Sequence, residues 1–285
     1  PDGLAAAWAV REVLGDQAQY VPMEYDGLVP DVQGKHLIIV DFSFKPMTMR
    51  IFEDSALSVT LLDHHASAKD MLASYQCACP QTHIEFDMHR SGAMMAWNYY
   101  HPNKAPPPLI AHIQDRDIWT WTDPNTKPFL RQLDTMALTF ETFDTVAAFD
   151  SKTYDRFVES GKGLVEQYDH LCKGFLDMAL PVTIDGIEGL SVSTSAHFTS
   201  DVGNLLAKKS GTFGCMWYLE SPSVVKVGLR AIEGTNVSDI AVRFGGGGHK
   251  LAAAFRMPAE RLPELVAGKI NSAMFNVFGN NNEIL

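Results

Sequence analysis

The chain has 285 residues, 46% of them hydrophobic and 20% charged. That is ordinary globular composition, long enough for two cores, and it excludes a disordered or fibrous chain. The net charge of −11 argues against gripping long nucleic acid through a general basic surface and leaves a short anionic ligand open. Residues 181–285 carry nine acidic and nine basic side chains, so the whole excess (25 acidic against 14 basic) lies in residues 1–180. An acidic half can host cations; a neutral half suits anions.

In chain order, GLAAAWAVREV (3–13) follows Asp2 and predicts a helix whose N-terminus carries that carboxylate. HLIIVDFS (36–43) and SVTLLDHH (58–65) predict buried parallel strands that end in acidic and histidine residues. Helical stretches at 67–75 and 91–101 complete a strand–helix alternation, the signature of an open parallel sheet with ligands at the strands' carboxyl ends. Asp41, Asp63, His64 and His65 fall at those ends. APPPL (105–109) precedes a helix holding HIQDRDIW (112–119), and residues 137–180 read as helices leading to a boundary near Pro181. Beyond it lies a β-rich module, with strands near 181–193, 213–219 and 223–231, helices near 200–209 and 259–276, and the loop GGGGHK at 245–250.

Asp2, Asp41, His64, His65, Asp115 and Asp117 are oxygen and imidazole donors expected to converge at one sheet edge. Such a mixture suits Mn²⁺, Mg²⁺ or Zn²⁺ rather than a thiophilic metal. Singly, each has a bland reading: Asp2 as a helix cap, Asp41 and Asp63 as turn residues, one histidine as a core residue. Together they favour a two-metal site, in which paired ions clamp the oxygens of a phosphoryl transfer. The run Gly245, Gly246, Gly247, Gly248, His249 lets backbone amides approach a phosphate or base, and Arg230, Arg243 and Lys250 make an anion pocket the favoured reading over a bare turn. Trp119, Trp121 and Phe198 could stack on a base, although at such spacings aromatics are more often core. Four cysteines without CxxC spacing suggest neither a disulfide framework nor a thiolate zinc site and fit a reducing cytoplasm. No apolar run approaches a membrane span, and none resembles a signal peptide.

VDFS (40–43), LLDHH (61–65), IQDRD (113–117) and GGGGHKLAAAF (245–255) stand in the order seen in DHH/DHHA1 phosphoesterases. PDGLAAA (1–7) resembles the tail of that family's first motif. The resemblance implies an α/β fold: a doubly wound, mostly parallel-sheet DHH domain (1–135), a helical linker (136–180) and a smaller α+β DHHA1 domain (181–285) closing over the cleft. It implies two Mn²⁺ ions, with Mg²⁺ or another divalent ion as substitute. Asp2, His64 and Asp115 would bind one ion and Asp41 would bridge both. His65 would face the scissile phosphate, Asp63 would orient its neighbours, and Arg230 with the Gly245–His249 loop would hold substrate. Asp117 is taken as structural or supporting. The first motif's upstream histidine and aspartate are missing before Pro1, and truncation is expected over loss of a metal. The implied substrate is a short linear dinucleotide such as pGpG, or nanoRNA, hydrolysed to mononucleotides. The alternatives are a cyclic dinucleotide or a non-catalytic nucleotide-binding role. No long nucleic acid or membrane partner is expected, and a homodimer is allowed.

Overall fold

The computed structural model describes residues 1–24 and 27–272, which divide into two compact units, the first ending at Glu166 and the second beginning at Gln167. The division falls inside one long helix, Ser151–Met178.

In the first unit, α1 (Asp2–Leu14) precedes β1 (His36–Val40), α2 (Pro46–Ser55), β2 (Ser58–Asp63), α3 (Ala66–Leu72), β3 (Thr82–Phe86) and α4 (Gly92–Tyr100). After them come α5 (Pro108–Asp117), α6 (Thr126–Leu133), α7 (Phe140–Ala147) and α8 (Ser151–Met178). The three strands pair in parallel in the order β1-β2-β3. Alternation along β1 shows that both sheet faces are covered. Ile38 and Val40 pack on a core with α1 and α4, whereas Leu37 and Ile39 pack with Met49, Phe52, Val59 and Leu61 on the other. Small residues let α1 and α4 approach closely: Ala5, Ala6 and Ala9 share a buried cluster with Ala93 and Ala96, and Trp8 stacks on Trp97 with centroids 5.9 Å apart. That packing sets the first turn of α1 against the start of α4, and α1 thereby brings Asp2 to the carboxyl edge of the sheet.

The second unit contains β4 (Leu180–Ile184), β5 (Ile187–Ser193), α9 (Thr199–Ser210), β6 (Phe213–Ser221), β7 (Val224–Ala231), α10 (Val237–Arg243), β8 (Gly247–His249), β9 (Ala252–Pro258), α11 (Leu262–Val266) and β10 (Lys269–Ile270). Its strands form one mixed sheet in the order β10-β4-β5-β6-β7-β9-β8. Met216 faces α9 on one side, while its neighbour Cys215 belongs to the core beneath Ile240, Phe244 and Leu265 on the other.

Several elements depart from the sequence expectation. Helices α2 and α6 and strands β3, β8 and β9 are additional. The helix expected at 259–276 is instead a short turn and α11, ended at Gly268 (φ 78°) before β10, with residues 273–276 lying outside the described residues. A left-handed glycine terminates a helix regardless of the helix propensity of the residues after it. No helix among the described residues is long and apolar enough to cross a membrane.

Candidate metal centre

Asp41 stands immediately after β1, its amide donating to Leu62 O at 3.0 Å. Its φ of 54° is uncommon for a residue with a side chain. The carboxylate is turned into a recess made by glycine: a Cβ on Gly92 would lie 2.5 Å from Asp41 Cβ, and one on Gly3 would lie 3.2 Å from Oδ2. Asp41 Oδ1 is buried without a hydrogen bond that satisfies it, the nearest cationic group being His64 Nε2 at 3.1 Å. His64 Nε2 also lies 3.6 Å from Asp2 Oδ2 and 3.4 Å from Asp117 Oδ2. Two overlapping groups result, Asp2–His64–Asp117 and Asp41–His64–His65, with donor atoms in each within 4.8 Å of one another.

The supporting contacts fix these atoms. Asp2 does not cap its own helix; its carboxylate accepts from Gly92 N (2.8 Å) and Ala93 N (3.0 Å) at the start of α4, where Ser91 Oγ accepts from Met94 N. Asp63 is fully buried. Its carboxylate accepts from Ser43 Oγ (2.6 Å), from the amides of His64 (2.7 Å) and His65 (3.3 Å), and from His65 Nδ1 (2.7 Å). Burial alone would raise its pKa, but the His65 and Ser43 bonds outweigh it and hold the carboxyl below its usual range. A charged Asp63 fixes the proton on His65 Nδ1 and raises the pKa of that ring against the opposing effect of burial.

Three carboxylates around one imidazole repel one another. Burial, then the charges of Asp41 and Asp117, push the Asp2 carboxyl up to about 8. Burial lowers the His64 pKa, but the surrounding carboxylates more than reverse this and push it up to about 9. The residues fit a divalent cation on three counts: oxygen and imidazole donors, an unsatisfied buried carboxylate oxygen, and mutual repulsion that a cation relieves.

Asp115, expected as a ligand, is in neither group. Its carboxylate accepts from Thr120 Oγ1 (2.6 Å), Thr122 N (2.7 Å), Thr122 Oγ1 (3.0 Å), Asp123 N (3.2 Å) and Thr126 Oγ1 (2.6 Å). Those bonds offset its burial and hold its pKa far below the carboxylate range. Asp117, one half-turn on at the end of α5, faces His64 instead. The hydroxyl-rich run Thr120, Thr122, Thr126 after Asp115 was the available signal, since Asp beside such residues accepts local bonds.

In the second unit, Arg230 is half-buried on β7 and donates to Ser200 Oγ (2.8 Å) and Leu229 O (2.9 Å). The glycine run is less open than the sequence suggested. Gly245 N and Gly246 N donate to Val242 O and Ala241 O at the end of α10, and Gly247, Gly248 and His249 form β8, paired with β9. A Cβ on Gly246 would lie 2.1 Å from Ala254 O, so this glycine is required by close packing. Arg243 pairs with Asp185 at 3.2 Å.

Residues 197–273 match the model of the DHHA1 domain. The C-terminal unit carries a DHHA1 domain. Over 255 residues the chain is 28% identical to uncharacterized protein R106 of Acanthamoeba polyphaga mimivirus, a match covering 84% of this chain and 59% of that protein. The chain therefore spans less than two thirds of this curated relative. RecJ from Thermus thermophilus, solved in complex with Mn²⁺, aligns at TM-score 0.52 and 13% identity over 95% of this chain and 52% of RecJ. A DHH domain from a member of the S1P family of ribosomal proteins aligns at TM-score 0.52 and 13% identity, over 85% of this chain and 69% of that one. The α/β fold around the DHHA1 domain is thus similar to the folds of these two proteins.

Proposed function

We propose that the chain is a metal-dependent phosphodiesterase acting on short linear nucleotides such as pGpG or nanoRNA, releasing mononucleotides. The observation that carries the reading is the meeting of Asp2, Asp41, His64 and Asp117 at the carboxyl edge of a parallel sheet, with Asp41 Oδ1 buried and unsatisfied. Asp2, Asp41, His64 and Asp117 would hold divalent ions, Mn²⁺ being first choice. Such ions supply Lewis-acid stabilisation of phosphoryl oxygens and a water acidic enough to attack near neutral pH.

The chain's own groups do the rest. Asp63 orients His65 through Nδ1, which leaves Nε2 to hold a proton toward a phosphoryl oxygen or the departing ribose oxygen; the raised His65 pKa favours that protonated form. The excess of 25 acidic over 14 basic side chains in residues 1–180 opposes a long polyanion, while the balanced DHHA1 region, with Arg230 and Gly245–His249, suits a short one.

The test is hydrolysis of 5′-phosphorylated dinucleotides, longer oligoribonucleotides and cyclic dinucleotides by the full-length gene product with Mn²⁺. Mononucleotide release from dinucleotides that stops in EDTA is the expected result. Preference for cyclic dinucleotides would move the substrate assignment, and metal binding without cleavage of any member would indicate a non-catalytic nucleotide-binding role.

A second expectation concerns protons. Because the Asp2 and His64 pKa values are raised, both groups are largely protonated at neutral pH without metal, and cation binding must displace those protons. Mn²⁺ affinity should therefore climb with pH throughout the range below about 8 and level off once the pH passes about 9. Calorimetry in buffers of different ionisation enthalpy should register proton release at pH 7. An affinity that is flat with pH, with no proton release, would exclude these two groups as ligands.

A further inference from the structure

Trp119 and Trp121 follow Asp117 in the turn after α5, and both adopt the left-handed backbone region, with φ of 60° and 52°. Bulky side chains rarely do so, and such strain persists only where the surroundings over-determine it. Asp115 supplies that constraint. Its carbonyl oxygen accepts from Thr120 N (3.0 Å) and Trp121 N (3.3 Å), and its carboxylate gathers the Thr120, Thr122 and Thr126 hydroxyls. The turn presents the two indoles edge to face, centroids 4.9 Å apart at 80°. Lys127 Nζ sits 5.3 Å over the Trp121 ring, so that ring is engaged on one face by a cation and beside it by Trp119. Trp119 is the exposed member, with 39% of its surface accessible. An exposed indole, rigidly held two residues from a carboxylate that lies 3.4 Å from His64 Nε2, is costly as a core residue and well placed as a ligand surface.

We propose that Trp119 is a stacking platform for one nucleobase of the substrate, with Trp121 as its buttress and Lys127 adding positive charge beside it. The inference rests on the phosphodiesterase reading and names the part of the substrate, a base rather than sugar or phosphate, that this end of the site recognises. Stacking on an aromatic ring tolerates any base and favours purines through their larger face.

The probes are GMP and ribose 5-phosphate, titrated calorimetrically with Mn²⁺ present, alongside hydrolysis of pGpG and of analogues lacking one base. Trp119→Ala should weaken GMP binding on the order of 10-fold or more, while Trp119→Phe stays within about 3-fold of wild type. Ribose 5-phosphate affinity should not change in either variant. In turnover, Trp119→Ala should raise KM for pGpG with kcat within about 3-fold, and should leave KM unchanged for the analogue that lacks the stacked base. Equal GMP binding by wild type and Trp119→Ala, or equal losses for GMP and ribose 5-phosphate, would overturn the platform. Trp119-dependent GMP binding with no hydrolysis of any substrate would instead overturn the phosphodiesterase reading and leave the base subsite standing.

Discussion

Replacing Asp41 with asparagine is expected to lower turnover by about 10³-fold or more, the scale of losing a principal electrostatic contact to the transition state. The effect comes from the site: Asp41 is the carboxylate nearest His64 Nε2, at 3.1 Å, and it belongs to the group that also holds His65. An amide keeps the shape but loses the charge on which a divalent ion would depend. Asparagine also tolerates the backbone at φ 54°, so the loss reports on charge rather than on a misplaced chain. Mn²⁺ should accordingly raise the melting temperature of wild type and raise that of the variant less. Retained Mn²⁺-dependent turnover, or an equal Mn²⁺-induced rise in melting temperature, would remove Asp41 from the ligand set.

The sequence made legible those features that depend on pattern. β-Branched and leucine-rich runs ending in Asp and His located β1 and β2 and the edge where the donors meet, and runs of helix formers with the APPPL punctuation located α1, α4, α5 and α9 within a few residues. The features it left open depend on contacts between distant residues. Asp115 and Asp117 are equivalent as residue types, and only the closure of the Thr120–Thr126 turn onto Asp115 turns that carboxylate inward and leaves Asp117 to face His64. The GGGGH run reads as a flexible anion loop, yet two of its amides terminate α10 and three of its residues form an edge strand, because Ala254 and Phe255 approach too closely for any side chain at Gly246. Asp2 looks like the cap of its own helix and is the cap of another, 90 residues away.

The same long-range logic gives Gly92 an importance that its chemistry conceals. Gly92→Ala adds one methyl group, and at an exposed helix position it would be neutral or mildly stabilising, since alanine is the better helix former. Here the new Cβ would lie 2.5 Å from Asp41 Cβ and 2.8 Å from both Cγ and Oδ1. Those atoms are close to the backbone and cannot swing aside as the tip of a long side chain could. Either Asp41 moves or the start of α4 does, and α4 carries the Gly92 and Ala93 amides that hold Asp2. Both routes displace a proposed ligand, so the substitution should cost about 1–3 kcal/mol of stability, as overpacking does, and about 10²-fold in turnover, the scale associated with a shift near 1 Å at a reacting centre. The stability loss should appear in EDTA as well as in Mn²⁺, and Mn²⁺ should stabilise the variant less than it stabilises wild type. A Gly92→Ala protein with unchanged Mn²⁺ affinity and turnover would show that Asp41 and α4 are not held against each other as the glycine recess implies.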